Sequence, residues 1–317
     1  MRKFILFSLV ILIGLLISSC QSQREIIYTN DDPFVLEMKG EELNILQLTD
    51  LHLTFGYDHR DQRTFKLIKH LNDQADFDLI VITGDLTMSP AGPSLFASLI
   101  EYMESLETPW TFVFGNHETD YHTYQDFLEV IKDTTYLYFK VGPELENGGV
   151  GNFHFTFTKN DIPAFRLYML DSKAEREIYT EEEGEYDYLS EAQVNWFRNH
   201  VQLDFVKHLI FMHVPLRQYI EVEDYEGYFL EDKVYAQGVD TGFFDTMVDL
   251  NRSLAIFVGH DHLNDFWFEK EGIMLAYGRA TGFNGYGNLE KGGRVISVNP
   301  LNNQITTDVL TESGDAA

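Results

Sequence analysis

The chain contains a single cysteine, Cys20, so no disulfide can form within it. Basic residues are also scarce: 23 Lys and Arg stand against 51 Asp and Glu in 317 residues, a formal net charge of −28. That balance argues against nucleic-acid polymers as habitual partners, because phosphate backbones are gripped by basic surface. It also requires that any anionic small molecule be drawn in by local positive charge, for which metal ions are the obvious source. No internal repeat and no low-complexity block is present.

The first residues call for separate treatment. Arg2 and Lys3 form a short basic start, Phe4 to Ile17 is almost wholly apolar, and Ser18, Ser19 and Cys20 follow at once. A basic region, an apolar stretch of this length and small residues at its end describe a secretory signal rather than a spanning helix. Ile17-Ser18-Ser19-Cys20 resembles the bacterial lipobox, whose cysteine becomes lipidated. The expectation is a signal peptide over residues 1–19 and an extracytoplasmic protein anchored to a bacterial membrane by lipid on Cys20. A plain signal peptide or an N-terminal anchor helix is the alternative. Without residues 1–19 the chain has 298 residues and 21 basic against 51 acidic groups, a net charge near −30. Residues 20–42 read as a tether and a first short strand, and residues 43–312 as one domain.

Beyond the tether, strand-like and helix-like segments alternate. Asn44–Thr49, Asp78–Thr83 and Thr111–Phe114 are short apolar runs, consistent with buried strands. Between them, Asp61–Gln74 and Ser94–Leu106 carry apolar residues at helical spacing. A β-α-β-α-β opening favours a parallel core with right-handed crossovers. The second half reads as hairpin strands Asn152–Thr158 and Phe165–Leu170 joined by a turn over Lys159–Pro163. A loop, Ser172–Tyr188, then leads to a helix from Ser190, where Ser190 and Gln193 fit a capping box. Further strands are expected at Lys207–Met212, Leu254–Val258, Ile273–Tyr277, Arg294–Val298 and Gln304–Val309. The simplest architecture is α/β, with two mixed sheets face to face and helices outside.

Five segments carry metal-capable side chains, each at the C-terminal end of a predicted strand: Asp50-Leu51-His52, Gly84-Asp85, Gly115-Asn116-His117-Glu118, His213 and Gly259-His260-Asp261-His262. Loops after strand ends form the usual ligand crevice of α/β folds. Taken singly, each has a bland explanation as a turn, a cap or a hydrogen-bonded histidine. Together, in this order and all at strand ends, they are hard to explain as packing.

This ordered set resembles the signature of the calcineurin-like metallophosphoesterase superfamily, from about Asn44 to at least Asn264. The resemblance implies a four-layer α/β/β/α sandwich. It implies one metal held by Asp50, His52 and His262, a second by Asn116, His213 and His260, and Asp85 bridging both. It gives His117 the role of general acid or transition-state stabiliser beside the leaving group. Carboxylate, amide and imidazole ligands suit divalent Mn, Fe or Zn. Two such ions would ionise a bridging water near neutral pH, and that hydroxide is the expected nucleophile on a small phosphate ester. The implied function is hydrolysis of a phosphoric monoester or diester. A cyclic-nucleotide phosphodiesterase, or a surface binding lipoprotein that keeps the fold without turnover, are the competing readings.

The pattern also breaks. Three residues after Asp85 stands Met88, where purple acid phosphatases carry a metal-binding tyrosine and serine/threonine phosphatases an aspartate that pairs with the catalytic histidine. The partner of His117 is therefore unassigned. The last third, with Asn264-Asp265-Phe266, Tyr277-Gly278-Arg279 and Gly285-Tyr286-Gly287, is similar to a branch related to purple acid phosphatases in bacteria, fungi and plants. Arg279 is a candidate for contacting substrate phosphate, since its planar fork suits that geometry. Asn264 and Tyr286 are candidate rim residues. The loops Ser172–Tyr188 and Arg217–Gly242, rich in tyrosines and acids, are where a specificity cap is expected.

Overall fold

The computed structural model describes residues 25–56 and 59–314; the expected signal segment 1–19 and the expected lipidation site Cys20 lie outside them. Its opening is the expected alternation: β1 (Phe34–Glu37), β2 (Leu43–Leu48), α1 (His59–Asn72), β3 (Leu79–Thr83), α2 (Gly92–Glu104) and β4 (Trp110–Val113). After a short α3 (Tyr124–Leu128) come β5 (Phe153–Lys159), β6 (Ile162–Met169), α4 (Glu191–Val201), β7 (Lys207–Phe211), α5 (Phe243–Leu250) and β8 (Ser253–Val258). The chain ends with β9 (Trp267–Lys270), β10 (Ile273–Tyr277), β11 (Gly292–Val298) and β12 (Ile305–Thr311).

These strands form two mixed sheets. One has the order β1-β5-β6-β7-β8-β10-β9, the other β12-β11-β2-β3-β4. Strands β2, β3 and β4 are parallel, as are β6, β7, β8 and β10. Neighbouring side chains on a strand point to opposite faces, and the apolar residues obey that rule on both faces. Leu79 and Val81 of β3, Leu209 and Phe211 of β7, and Ala255 and Phe257 of β8 fill the space between the sheets. Ile80 and Ile82 turn outward onto Leu67, Ile68 and Leu71 of α1 and Phe96, Leu99 and Met103 of α2. Ile210, Ile256 and Val258 turn outward onto Val194 and Phe197 of α4 and Phe243 and Met247 of α5. Three apolar layers separate four structural ones, so the fold is an α/β/β/α sandwich. Burial of both strand faces explains why these strands read as continuous apolar runs.

Local chemistry sets the element ends. At α4, Ser190 Oγ accepts from the Gln193 N–H at 3.2 Å and Gln193 Oε1 accepts from the Ser190 N–H at 2.8 Å, the expected capping box. The hairpin turn between β5 and β6 is tighter than the sequence implied. Only Asn160 and Asp161 lie outside the strands, both at positive φ (54° and 62°), the geometry of a two-residue turn that twists with its strands. Pro163 consequently sits within β6, near a register shift between Phe157 and Thr158. The sequence reading also passed over α3, α5 and β9, which are five, eight and four residues long, too short to establish a period.

The inter-sheet layer holds the two sheets in register. Phe211 is fully buried in it, with its ring 5.3 Å from that of Phe257 at an interplanar angle of 20°. Phe211→Ala is expected to lower unfolding free energy by about 3–5 kcal/mol, the usual cost of removing a buried phenylalanine. Urea titration checks this; a loss under about 1 kcal/mol would contradict the packing described.

Candidate metal centre

The strands deliver their polar termini to one place because the two sheets are tied together at their C-terminal edge. Gln47 Nε2 donates across to the Val258 carbonyl at 2.9 Å, and the His213 Nδ1–H to the Thr83 carbonyl at 2.7 Å. The Thr281 N–H donates to the Thr49 carbonyl at 2.9 Å. Space is short here: a Cβ on Gly259 would lie 1.9 Å from Thr49 Oγ1, and one on Gly115 would lie 2.2 Å from Asp85 Oδ1. Glycine before the ligand-type residue is thus a packing requirement of the meeting edges. Asp50, His52, Asp85 and His260 all hold positive φ (54°, 46°, 52° and 81°). Such backbone costs on the order of 1–3 kcal/mol per residue and persists where surrounding structure fixes a functional geometry.

Seven side chains from five loops converge. Asp50 and His52 follow β2, Asp85 follows β3, Asn116 follows β4, His213 follows β7, and His260 and His262 follow β8. All seven are buried. Asp50, His52, Asp85 and His262 present one group of mutually close donor atoms, and Asp85, His213 and His260 a second. In the first, His52 Nε2 lies 2.8 Å from His262 Nε2 and 3.4 Å from Asp85 Oδ2, and His262 Nε2 lies 3.4 Å from Asp50 Oδ1. In the second, His213 Nε2 lies 3.2 Å from Asp85 Oδ2, and Asn116 Oδ1 is 3.0 Å from both His213 Nε2 and His260 Nδ1. Asp85 belongs to both groups. Its Oδ1 accepts the His117 N–H at 3.0 Å, which turns Oδ2 toward His52 and His213.

The donor set itself tests whether metal ions fit. Two carboxylates, an amide oxygen and four imidazoles gather their ligand-type atoms within 2.8–3.4 Å of one another. Cations bound among them would be coordinated by these same atoms. The residues fit hard or borderline divalent ions. Burial alone would raise the Asp85 carboxyl, but His213 and His52 outweigh it and hold it well below the usual carboxylate range. Burial pulls the His52 and His260 imidazoles down to about 3, so both offer free lone pairs at neutral pH. Burial also acts to lower His213, but Asp85 overcomes it and lifts His213 to about 10. Metal binding at His213 would therefore release a proton.

Partners outside the seven fix their orientation; of these only Glu118 stands in the sequence signature, and Glu175, Asp61 and Asp120 do not. Glu175, in the Ser172–Tyr188 loop, accepts from Asn116 Nδ2 at 3.0 Å and so turns Asn116 Oδ1 inward. Glu118 is buried and accepts from the Gly115 N–H at 2.7 Å and the Thr87 N–H at 3.1 Å, joining the loops after β3 and β4. Asp61, in the first turn of α1, accepts the N–H groups of Thr54, Phe55 and Gly56 just after His52. Most relevant is Asp120: its Oδ2 lies 2.8 Å from His117 Nδ1. It supplies the carboxylate that Met88 cannot, from a position three residues after the histidine. Burial acts to lower the His117 imidazole, but Asp85 and Asp120 together raise it.

Arg279 requires a correction. It is not a substrate contact: it is 1% exposed, its Nε donates to Asp265 Oδ2 at 2.8 Å, and its Nη1 donates to the Glu290 carbonyl at 2.7 Å. Asn264 is likewise no rim residue, being fully buried with its Oδ1 accepting from the Leu230 and Glu231 N–H groups. Tyr286 does stand at the rim, stacked on His262 with ring centroids 4.1 Å apart.

With this geometry in place, comparison with known proteins decides the family. The family model for calcineurin-like phosphoesterases matches residues 43–264. The chain belongs to that family. Among its relatives, a plant protein from Arabidopsis thaliana named "Probable inactive purple acid phosphatase 14" is 24% identical over 93% of this chain and 84% of its own. An uncharacterized protein of Schizosaccharomyces pombe, C1020.05, is 29% identical over 71% of this chain and 46% of its own. The expected branch, related to purple acid phosphatases and spanning fungi and plants, agrees with these relatives. In fold, this calcineurin-like chain is similar to a dimetal phosphatase from Danio rerio (TM-score 0.58, 12% identity, 84% of this chain and 98% of the other).

The position of Arg279 gives a discriminating test. Removing one partner of a buried ion pair strands the other, at a typical cost of about 3–5 kcal/mol. Arg279→Ala is expected to lose that much stability in a urea titration. Unchanged stability would contradict the structural role.

Proposed function

We propose that the protein hydrolyses small phosphate esters at a centre of two divalent metal ions. The observation that carries this reading is the shared carboxylate: Asp85 stands in both donor groups, with Oδ2 within 3.4 Å of His52 on one side and 3.2 Å of His213 on the other. Asp50, His52 and His262 would hold one ion, and Asn116, His213 and His260 the other. Bound there, the ions supply Lewis-acid charge and a nucleophile drawn from water near neutral pH.

The chain's own residues do the rest. Asp85, with its carboxylate oriented by the His117 N–H, would be the ligand shared by both ions. Glu175 keeps the Asn116 oxygen facing inward. His117 lines the open cavity over the centre, its ring centroid 5.2 Å from that of His52. From there it can give a proton to the departing alcohol oxygen. Asp120, on Nδ1, fixes the ring and its tautomer so that Nε2 carries that proton. The acidic surface then needs no cationic side chain to capture a phosphate: two divalent ions against Asp50 and Asp85 leave net positive charge at the bottom of the cavity.

The apolar start, the small residues after it and Cys20 support secretion and lipid anchoring of this activity at a bacterial membrane. A second reading, binding without turnover, has in its favour that a plant relative is named inactive. The pairing of His117 with Asp120 weighs against it.

Turnover of p-nitrophenyl phosphate and its bis ester, with Mn supplied, separates the two. His117→Ala is expected to lower kcat by about a hundred- to ten-thousandfold. Asp120→Asn is expected to lower kcat roughly tenfold with little change in KM, since the aspartate acts through the imidazole. In the His117→Ala background the Asp120 substitution should add nothing. No turnover by the metal-loaded protein would favour binding alone. Additive losses would show that Asp120 acts independently of His117.

A further inference from the structure

The cavity above the centre, about 530 Å³ in volume, has walls whose chemistry differs from its floor. The floor is the donor cluster. The walls include Tyr186, Tyr235 and Tyr286, with the carboxyl groups of Glu231 and Asp261, and among the described residues no lysine or arginine lines it. Tyr186 stands edge-on to His260 at 4.3 Å between ring centroids, and Tyr286 stacks on His262 at 4.1 Å. Both rings are thereby fixed directly beside the centre. Glu231 is fixed as well: Tyr286 Oη donates to its Oε1 at 2.5 Å and the Leu263 N–H donates to the same oxygen at 3.1 Å. Lys233, which does not line the cavity, lies over Tyr235 at 4.6 Å from the ring centroid. Tyr186 and Tyr286 are thus the walls left for a ligand.

This pattern selects on charge. A phosphate dianion would be balanced by the ions proposed for the floor. A second negative group on the alcohol would meet Glu231 and tyrosine faces, in a chain of net charge −28, with no cationic side chain to receive it. A positive group would meet a fixed carboxylate and aromatic faces, the combination that recognises ammonium and quaternary ammonium ions.

We infer that the cavity takes zwitterionic phosphomonoesters, in which phosphate sits on the floor and an ammonium or trimethylammonium group on the alcohol lies against Tyr186, Tyr286 and Glu231. This rests on the proposed metal-dependent hydrolysis and names its substrate class. In the reaction water adds at phosphorus and the bond from phosphorus to the alcohol oxygen breaks. The electron pair leaves with that oxygen, which takes up a proton, giving inorganic phosphate and a free amino alcohol. The loops Ser172–Tyr188 and Arg217–Gly242 supply Tyr186 and Glu231, so the selectivity resides in the segments outside the sandwich layers.

Phosphocholine and 3,3-dimethylbutyl phosphate have nearly the same shape and differ by the positive charge. Calorimetric titration of each into the Mn-loaded His117→Ala chain, in which the proposed turnover is slowed about a hundred- to ten-thousandfold, measures that difference as binding. Phosphocholine is expected to bind about tenfold more tightly, within the range for a cation held by aromatic faces. Glu231→Gln, and separately Tyr286→Leu, should bring the ratio toward one. Equal affinities, tighter binding of the uncharged ester, or no binding of either would overturn the inference. Hydrolysis of p-nitrophenyl phosphate by the unaltered chain, measured alongside, reports on the enzymatic reading itself, which can fail while the charge preference stands.

Discussion

Everything in this molecule turns on a shared carboxylate. Asp85 lies between two clusters of imidazoles and oxygens, buried and held ionised by the histidines on either side. Bringing two carboxylates and four imidazoles out of water into mutual contact is unfavourable unless opposite charge accompanies them. In the reading proposed here that charge is a pair of divalent ions. The same ions explain how a chain with so few basic residues would handle an anionic substrate.

The sandwich makes this concentration of donors sustainable. Parallel strands from both sheets end at one edge, and hydrogen bonds from Gln47, His213 and Thr281 close that edge across the sheet interface. Residues that look like bystanders carry the geometry: Glu118 and Asp61 gather backbone N–H groups of the loops, and Glu175 orients the amide of Asn116. Strained backbone at Asp50, His52, Asp85 and His260 is the local cost of aiming their side chains at a common point.

Much of this was legible in the sequence, and the reasons are physical. Strands buried on both faces leave unbroken apolar runs, so the core strands and the polar residues at their ends could be read directly. Helices α1, α2 and α4 declared themselves by spacing and, in the last case, by a capping box. What escaped notice was short or tertiary. The elements α3, α5 and β9 are too brief to show a period. Arg279 looked like a phosphate contact because an arginine's fork suits that task, but Asp265, fourteen residues earlier, claims it in the fold. The family resemblance directs attention to position 88 for the partner of His117, where this chain has Met88; Asp120 instead sits three residues after the histidine, a local i,i+3 spacing. Glu175 pairs with Asn116 across 59 residues, and nothing in the one-dimensional pattern marks that contact.

The most direct test of the central claim is to count metal. Elemental analysis of the purified chain, dialysed against Mn, is predicted to find two ions per molecule. The Asp85→Asn protein should hold fewer than two while keeping its far-ultraviolet circular dichroism. One ion or none in the unaltered chain, or two in both proteins with equal affinity, would contradict a dinuclear centre built on a bridging Asp85.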